Sequence, residues 1–380
     1  MIVRLAARGE GATADGRFFP LSAPGDRIAP DGGIIPGPHH QAPLCRHFPD
    51  CGGCQLQHVD DAAYADYLKD RIAGALAAQG LSETEIRTPH LSPPKSRRRA
   101  ALKAGGGVIG FNAAASHRIV DMRECHVLRP ELFDLVAPLR RLLTGRAGAV
   151  MTLADQGVDL LLEGVSSDSL ARAEALTDFA RANALARLSL DDGLGPQTVW
   201  EPEPVTARLG GVPVSLPHNA FLQATADGEA ALVAAVREAA GEARLIADLF
   251  AGLGTFALSL EGRVYAAEGA RDAVLALKSA RRDGLFVDHR DLFRRPLDIA
   301  ELDRFEAVVL DPPRAGAKEQ VPLLAASNVP RIAYVSCNPA TFARDAKVLA
   351  EGGCKLDWVK PVGQFRWSTH VELVGRFSRA

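Results

Sequence analysis

The sequence predicts an α/β protein whose C-terminal part is an open, mostly parallel sheet of the nucleotide-binding type. One apolar run, residues 245–249, leads into a glycine-rich turn and a helix start. Two further apolar runs, at 307–310 and 333–335, each end at turn-forming residues next to an acidic or reactive side chain. Short buried strands that alternate with helices favour a parallel sheet, and ligands bind at the carboxyl ends of its strands. We therefore expect the functional site at that edge.

Size and composition indicate an ordinary globular protein. The chain has 380 residues, a formal net charge of −2, 47% hydrophobic and 24% charged residues, which allows two or three domains. No apolar run reaches the length of a membrane span, and Arg4, Arg8 and Glu10 interrupt any signal peptide. We expect a cytoplasmic protein with no membrane partner, in which any polyanion site is a local basic patch.

Residues 1–40 are rich in glycine, proline and alanine and predict a small β segment with many turns. Such a segment is too short for a core of its own, so a surface extension and a binding role are equally compatible with it. Residues 60–78 predict a helix, and prolines between 202 and 217 suggest a domain boundary. We therefore divide the chain into a β segment at 1–40, a central domain at 41–215 and a C-terminal domain at 216–380.

Four of the six cysteines form a pattern typical of a metal centre. Cys45, Cys51 and Cys54 lie within ten residues, and Cys125 lies far downstream. In a reducing compartment, clustered cysteines indicate a metal or catalysis rather than disulfides. Thiolates suit zinc and iron–sulfur clusters alike, but zinc sites favour paired C-x2-C knuckles, and only Cys51 and Cys54 form one. The spacing favours a cluster and leaves zinc as the alternative.

The densest basic run consists of Lys95, Arg97, Arg98 and Arg99, and three glycines follow at 105–107. This pattern predicts two strands joined by a glycine turn, with the basic residues on the first strand. The face could simply be solvated. It could also contact the phosphates of a nucleic acid, which would add affinity without sequence information.

The turn after residues 245–249 contains Gly252 and Gly254, which let the backbone approach a nucleotide-like ligand closely. The next strand ends in Glu268, at the position from which a carboxylate binds ribose hydroxyls in nucleotide-binding α/β folds. This pattern also fits a nicotinamide dehydrogenase. However, a dehydrogenase has no need of Asp311 followed by two prolines, and it does not explain Cys337 together with the cysteine quartet.

These motifs together resemble the iron–sulfur-containing RNA uracil-C5 methyltransferases, which modify ribosomal or transfer RNA. The resemblance spans residues 45–377. Beside the cysteine quartet it rests on Phe-Leu-Gln at 221–223, Asp-Leu-Phe-Ala-Gly-Leu-Gly-Thr-Phe at 248–256, Asp-Pro-Pro-Arg-Ala-Gly at 311–316, Val-Ser-Cys-Asn-Pro-Ala-Thr at 335–341 and Thr-His-Val-Glu at 369–372. It implies a Rossmann-like class I S-adenosylmethionine-dependent methyltransferase domain beside a smaller α+β central domain and a truncated N-terminal β segment.

The resemblance also implies residue roles. Cys337 would be the nucleophile that adds to carbon 6 of uracil, for which we expect a polar or electropositive pocket, and Glu372 would be the base that removes the carbon-5 proton. S-adenosylmethionine would bind Gln223, Phe250, Gly252, Gly254, Thr255, Glu268, Asp291 and Asp311. A [4Fe–4S] cluster would bind Cys45, Cys51, Cys54 and Cys125. The RNA would contact Phe221, Arg314, Lys95, Arg97, Arg98 and Arg99.

The chain departs from its relatives at the N-terminus, where they commonly carry a complete TRAM domain, an RNA-binding β-barrel. Residues 1–40 resemble only fragments of that domain, so RNA affinity is expected to rest more on the central domain. A second departure is Ala251, where the family often has a cysteine outside the chemistry.

Alternative functions remain at this point. RNA cytosine-C5 methyltransferases share the thiolate addition but carry a second cysteine in the proline motif, which here reads Asp-Pro-Pro-Arg at 311–314. A non-catalytic RNA-binding or assembly factor could retain the same fold. The cysteine quartet favours 23S rRNA as the substrate, with tRNA as the alternative. We expect RNA rather than DNA as the partner, and a monomer.

Overall fold

The computed structural model describes residues 1–379, and the chain begins with a small β segment. Its strands are β1 (Ile2–Leu5), β2 (Gly11–Thr13), β3 (Phe18–Phe19), β4 (Arg27–Ile28) and β5 (Ile34–Ile35). The first three form an antiparallel sheet and the last two a ribbon. The buried carboxylate of Asp26 connects the turns, because it accepts hydrogen bonds from the backbone N–H groups of Ala23 and Gly37, both at 2.7 Å.

The predicted helix at 60–78 is present as α1 (Asp61–Ala77), which begins at Asp60, whose side chain accepts a hydrogen bond from the backbone of Ala63. Two short strands follow, β6 (Glu85–Ile86) and β7 (His90–Leu91). Both pair with a strand of the C-terminal sheet, and α1 buries its apolar face in the same core. Residues 61–91 therefore pack with the C-terminal sheet, although the predicted boundaries assign them to the central domain.

The central region forms a six-stranded sheet and a two-stranded ribbon. Its elements are β8 (Arg99–Gly105), β9 (Val108–Gly110), α2 (Pro130–Phe133), α3 (Val136–Leu142), β10 (Ala147–Ala154), β11 (Gly157–Glu163), α4 (Leu170–Ala182), β12 (Arg187–Asp191), β13 (Gln197–Trp200), β14 (Thr206–Leu209) and β15 (Val212–Ser215). The sheet order is β13-β12-β11-β10-β8-β9. The predicted pair of strands with a glycine turn is confirmed as β8 and β9, but of the basic run only Arg99 lies on β8.

The C-terminal region supplies most of a nine-stranded sheet. Its elements are α5 (Ala226–Ala240), β16 (Leu245–Leu249), β17 (Arg263–Glu268), α6 (Arg271–Ser279), β18 (Leu285–His289), α7 (Ile299–Leu302), β19 (Ala307–Leu310), α8 (Val321–Ala326), β20 (Arg331–Ser336), α9 (Pro339–Glu351), β21 (Cys354–Gly363) and β22 (Glu372–Arg379).

The strand order of this sheet determines where a ligand can bind. The order is β18-β17-β16-β19-β20-β22-β21-β6, with β7 also paired to β21. Strands β16 to β20 run parallel to one another, whereas β22 is antiparallel to both β20 and β21. The order reverses at β16 and β19, and open α/β sheets bind ligands outside the carboxyl ends of the strands at such a point. The predicted open, mostly parallel sheet is confirmed.

Apolar side chains cover both faces of this sheet, and a third core fills the central region. Alternate residues of each inner strand point to opposite faces, so that Leu249 and Val308 join one core while Ile246 and Val309 join the other. Trp367, in the connection between β21 and β22, is only 2% exposed and packs in the central core instead. This connection therefore attaches the large sheet to the central region. Within residues 1–379, no helix is long and apolar enough to cross a bilayer.

Candidate active site

Three of the predicted site residues lie at one edge of the large sheet. Cys337 directly follows β20, Asp311 directly follows β19, and Glu372 is the first residue of β22. The register keeps them together, because β20 pairs with β19 on one side and with β22 on the other. Asn338 caps α9 and Pro339 occupies its first position, so the chain turns away sharply after Cys337.

Burial governs the ionisation of these three groups. It raises the pKa of Glu372 to about 8, with repulsion from Asp311 adding to the effect, and it raises the pKa of Asp311 to about 7. Burial also raises the pKa of the Cys337 thiol to about 11, reinforced by both carboxyl groups and opposed by Arg314. At neutral pH the free site therefore holds a protonated thiol. We expect a pocket that favours the thiolate form of Cys337. The side chains around Cys337 instead favour the protonated thiol.

The predicted glycine-rich loop follows β16 at the same edge of the sheet. Phe250 has a φ of 64° and Gly252 a φ of 56°, so the backbone turns through the left-handed region. A Cβ atom at Gly252 would meet no heavy atom within 4 Å. The loop therefore borders open space in which a ligand can lie. Gly254 and the half-buried Thr255 complete the turn.

One carboxyl group is hydrogen-bonded to this loop, and a second follows the neighbouring strand β18. Glu268 accepts hydrogen bonds from the backbone N–H groups of Gly252 at 2.8 Å and Ala270 at 2.7 Å, one on each carboxylate oxygen. Asp291 accepts one from the backbone of Phe293 at 3.0 Å. Each oxygen of Glu268 retains acceptor capacity toward the open side, which suits hydroxyl groups of a ribose.

Gln223 lies just before α5 and is 3% exposed. Its Oε1 accepts a hydrogen bond of 2.7 Å from Nε2 of Gln364, whose own Oε1 accepts from the backbone of Ala224 at 2.9 Å. Sequence reasoning missed Gln364. The only local signal is a polar residue directly after a strand, and such a residue usually lies in a solvated turn.

The predicted RNA-contacting residues fall into two groups. Phe221, Lys95 and Arg314 are exposed. Arg99 is half-buried, and its guanidinium donates a hydrogen bond of 3.1 Å to the carbonyl oxygen of Leu222 and lies 5.4 Å from the centre of the Phe221 ring. The remaining two arginines turn inward and make contacts within the protein.

Arg98 forms an ion pair of 2.5 Å with Glu229, and both side chains are mostly buried. Arg97 lies between the rings of Phe111 and Phe365, 5.7 Å and 5.4 Å from their centres. The prediction of a single RNA-facing basic strand therefore needs correction, because buried partners from distant segments withdraw Arg97 and Arg98 from the surface.

The four predicted metal-binding cysteines line one cavity in the central region. Apolar side chains of Phe48, Phe111, Val120, Met122 and Val127 complete much of its wall. His47 accepts a hydrogen bond of 3.0 Å from the backbone of Arg123, which joins the loop of Cys45 to that of Cys125. Within residues 1–379, no three His, Cys, Asp or Glu side chains lie in an arrangement that would hold a single metal ion.

The loop that leads to Glu372 is fixed to the cysteine-bearing segment. The carbonyl oxygen of Trp367 accepts hydrogen bonds from the backbone of Gln55 at 2.8 Å and Leu56 at 2.9 Å, directly after Cys54. The hydroxyl of Tyr64 lies 3.1 Å from the carbonyl oxygens of Phe365 and Ser368. The central region therefore determines where this loop lies, which sequence reasoning did not predict.

Replacing Glu372 by glutamine should stabilise the protein at pH 8. A carboxyl group with a raised pKa binds more protons in the folded than in the unfolded state between its ordinary pKa of 4.5 and about 8, so the free energy of unfolding falls as pH rises through that window. One pKa unit corresponds to about 1.4 kcal/mol. We expect the melting temperature of Glu372→Gln to exceed that of the wild type by several degrees at pH 8, and to match it near pH 4.5.

Asp159→Asn provides the matched control for this measurement. The Asp159 carboxylate is also buried but accepts two hydrogen bonds from Arg187, of 2.8 Å and 2.7 Å. Its replacement leaves a buried arginine without its partner and should lower the melting temperature at pH 8. A melting temperature of Glu372→Gln below that of the wild type at pH 8 would contradict the prediction.

Sequence comparisons identify relatives of this site and fold. A profile of the tRNA (uracil-5-)-methyltransferase family matches residues 279–377, which include Cys337 and Glu372. The chain is 56% identical to a Zymomonas mobilis protein named an uncharacterized RNA methyltransferase, over 100% of this chain and 99% of that one. It is 32% identical to the 23S rRNA (uracil(1939)-C(5))-methyltransferase RlmD of Alteromonas naphthalenivorans, over 90% of this chain and 78% of the relative.

The structural comparison agrees in fold. The crystal structure of the Pyrococcus abyssi tRNA (uracil-54, C5)-methyltransferase in complex with S-adenosyl-L-homocysteine superposes with a TM-score of 0.75 at 23% identity, covering 99% of this chain and 98% of that one. This similarity confirms the predicted Rossmann-like class I methyltransferase fold. The chain therefore belongs to the family of S-adenosylmethionine-dependent RNA (uracil-C5)-methyltransferases.

Proposed function

We propose that the protein methylates carbon 5 of one uridine in 23S rRNA, forming 5-methyluridine, with Cys337 as nucleophile and Glu372 as base. The observation that carries the proposal is the convergence of Cys337, Asp311 and Glu372 beside the glycine-rich loop. Covalent activation of a pyrimidine needs a thiol, and completion of the reaction needs a base within reach of the same ring. Cys337 and Glu372, which lie next to each other where β20 ends and β22 begins, would supply the thiol and the base.

Cys337 overcomes the weak nucleophilicity of carbon 5 in uracil. Its sulfur bonds to carbon 6 while the thiol proton passes to water, and the electron pair of the 5,6 double bond moves into an enolate that includes carbon 5 and oxygen 4. S-adenosylmethionine supplies the methyl group to carbon 5 and leaves as S-adenosylhomocysteine. Glu372 then removes the proton from carbon 5, the double bond forms again, and the sulfur of Cys337 leaves carbon 6 as a thiolate that takes up a proton from water.

The buried carboxyl groups suit these steps. A pKa of about 8 makes the Glu372 carboxylate a stronger base than an exposed glutamate, which favours removal of a proton from carbon. Arg314 and the positive charge of a bound sulfonium both act to lower the pKa of the Cys337 thiol. Asp311 would bind the cofactor and face the polar edge of the ring.

The cofactor residues fit a nucleoside. Glu268 retains acceptor capacity for ribose hydroxyls, and Gly252 leaves space beside the loop. The other residues that we assign to S-adenosylmethionine are Gln223, Phe250, Gly254, Thr255, Asp291 and Asp311.

The RNA would present its target base splayed out of the helix, as chemistry on a base requires. Phe221 is 63% exposed and offers a ring face on which a base can stack. Arg314, Lys95 and Arg99 offer cationic groups for phosphates. Arg97 and Arg98 would support this surface from within rather than contact the RNA.

The cysteine quartet would hold the [4Fe–4S] cluster. Burial raises the pKa of the Cys54 thiol to about 12, so these thiols would stay protonated at neutral pH in the absence of positive charge. Four such thiols around one apolar cavity fit a cationic iron–sulfur centre, which binds thiolates. Methyl transfer from a sulfonium needs no electron from the cluster, so a bound cluster would have a structural role in the central region.

Cys54→Ser should reduce the iron content of the purified protein and remove the broad visible absorption of an iron–sulfur cluster. Cys354→Ser is the matched control, because Cys354 is also buried but lies outside the cavity. We expect the control to keep its iron. Equal iron content in both variants, measured together with acid-labile sulfide, would contradict the assignment of the quartet, and zinc without sulfide in the wild type would replace it with the zinc alternative.

The assignment to 23S rRNA follows the Alteromonas relative, which is named for that substrate. A tRNA is the second candidate, because the family profile and the archaeal structure are both named for tRNA.

The test is transfer of labelled methyl groups to rRNA and tRNA from cells that lack 5-methyluridine. Label in 5-methyluridine of 23S rRNA supports the proposal, and label in tRNA alone selects the second candidate. Label in 5-methylcytidine would overturn the reaction, and the absence of label in both RNAs would favour an RNA-binding role.

A further inference from the structure

One helix holds the loop of residues 314–317 in place. The helix is α9, which begins two residues after Cys337. The carbonyl oxygen of Arg314 accepts hydrogen bonds from the side chains of Asn338, at 3.3 Å, and Thr341, at 3.2 Å. Because Asn338 directly follows Cys337 in the chain, these bonds connect the backbone of Arg314 to the segment that carries the proposed nucleophile.

The next turn of α9 holds the rest of the loop. The carbonyl oxygen of Ala315 accepts a hydrogen bond of 3.0 Å from Arg344, and the backbone N–H of Ala317 donates one of 2.9 Å to Asp345. A Cβ atom at Gly316, between them, would lie 2.6 Å from an atom of each of these two side chains. Glycine therefore lets the loop approach the helix closely, and α9 contacts four consecutive loop residues.

Asp345 also connects the loop to the strand that leads to Cys337. Its side chain is 2% exposed, and its Oδ2 accepts a second hydrogen bond, of 2.6 Å, from the hydroxyl of Tyr334 on β20. Its Oδ1 accepts one of 2.8 Å from Arg344. Three donors thus satisfy this buried carboxylate, and the removal of any of them is costly. Strand, helix and loop are therefore fixed to one another.

The side chain of Arg314 is exposed, in contrast to its anchored backbone. No acceptor within residues 1–379 takes a hydrogen bond from its guanidinium, so this group is available to a ligand. Pro312 and Pro313 precede it, and their fixed φ angles stiffen the chain further. A cationic side chain on a fixed backbone loses less conformational entropy on binding an anion than one on a mobile loop does.

We propose that α9 fixes the 314–317 loop so that Arg314 binds the phosphate of the target nucleotide while the base lies against Cys337. Thr341 and Asp345 are then positioning residues that act through Arg314. This inference rests on the proposed roles of Cys337 and Arg314. A guanidinium binds a phosphate through paired hydrogen bonds of defined geometry, so the place of its backbone relative to the sulfur decides whether both contacts form together.

A double-variant cycle of Thr341→Val and Arg314→Ala tests the inference, with bulk RNA from cells that lack 5-methyluridine as the substrate. Valine has the size of threonine but no hydroxyl, and we expect the loss of this hydrogen bond to lower kcat/KM for the RNA by roughly two- to tenfold, mostly through KM. Arg314→Ala removes a charge-assisted contact and should lower it by roughly ten- to hundredfold. Because Thr341 acts through Arg314, Thr341→Val should cause no further loss in the Arg314→Ala background.

The salt dependence of RNA binding tests the phosphate contact itself. Each phosphate that a protein neutralises adds about one unit to the slope of the logarithm of the binding constant against the logarithm of the salt concentration. Arg314→Ala should therefore reduce this slope by about one unit.

Thr177→Val is the matched control. Thr177 is also a half-buried helical threonine, on α4, and its hydroxyl donates a hydrogen bond of 2.9 Å to Ala173 of the same helix. We expect this control to keep the wild-type KM for RNA. Binding of S-adenosylhomocysteine should stay unchanged in Thr341→Val, whereas a general loosening of this edge of the sheet would weaken it. Asp345→Asn is the second variant for the same cycle, with a larger expected loss, because three donors converge on this carboxylate.

The inference is overturned if Thr341→Val or Asp345→Asn causes the same loss in the Arg314→Ala background as in the wild type, or if neither causes a loss. An unchanged salt slope in Arg314→Ala would also overturn it. A wild-type protein that forms no 5-methyluridine would instead overturn the proposed function, so the two failures are distinguishable. A loss that disappears in the Arg314→Ala background, with cofactor binding intact, supports the positioning role.

Discussion

Cys337→Ala is expected to abolish 5-methyluridine formation, lowering the rate by roughly four orders of magnitude or more. Without the sulfur, carbon 5 of uracil stays a weak nucleophile, and no group at the sheet edge replaces the covalent step. Asp311 and Glu372 are carboxyl groups, which are poor candidates for addition to carbon 6. The measurement is single-turnover transfer of labelled methyl groups, with the covalent adduct followed on a denaturing gel.

The control for this prediction is Cys354→Ala. Cys354 is 4% exposed at the start of β21 and contacts Arg379, so its loss should lower the melting temperature while methyl transfer continues. Binding of S-adenosylhomocysteine should persist in both variants, because neither thiol belongs to the proposed cofactor site. Residual 5-methyluridine well above trace level in Cys337→Ala would mean that the methyl group is transferred without covalent addition.

The centre of the large sheet could be predicted from the sequence because its strands are buried on both faces. Residues 245–249 and 307–310 are continuous apolar runs, the pattern typical of inner parallel strands. The two-residue strands β6 and β7 could not be predicted, because a pair of residues carries no periodicity. Their existence depends on β21, a partner more than 250 residues away in the chain.

The position of Cys337 at a strand end followed from local turn chemistry, and the structure brings Asp311 and Glu372 to the same edge. The charges around that thiol could not be predicted from the sequence. The expectation is a polar or electropositive pocket, whereas the charged groups that act on this thiol include two carboxyl groups that raise its pKa. The side chains of the three residues are close only because β20 lies between β19 and β22.

The basic run at residues 95–99 also shows that local sequence does not determine the surroundings of a side chain. Four positive charges within five residues suggest a surface for RNA, and Lys95 and Arg99 remain compatible with that use. The partner of Arg98 is Glu229 on α5, and Arg97 is covered by two aromatic rings from other segments. The sequence shows a charge, but only the fold shows whether that charge already has a partner.

Glu372→Gln is expected to stop the reaction after methyl transfer, so that methylated RNA remains bound to Cys337. Glutamine keeps the size of the side chain and one of its two oxygens but cannot accept the carbon-5 proton. Turnover should fall by roughly 10²- to 10⁴-fold, while the first methyl group is still transferred. With labelled S-adenosylmethionine, the label should migrate with the protein on a denaturing gel, and it should stay with the protein after ribonuclease has shortened the attached RNA.

The other variants of this position separate the possible explanations. A Cys337→Ala/Glu372→Gln double variant should show no labelled band, because the band requires the bond to sulfur. If Glu372→Gln released 5-methyluridine at the wild-type rate, the base would be another group, with Asp311 and its pKa of about 7 as the nearest candidate. If no adduct formed, Glu372 would be needed earlier, for example to accept the thiol proton.

The expected rise in the melting temperature of Glu372→Gln at pH 8 excludes misfolding as the cause of lost turnover. The burial that makes Glu372 a strong base also destabilises the folded protein, so the glutamine variant should be more stable than the wild type at this pH.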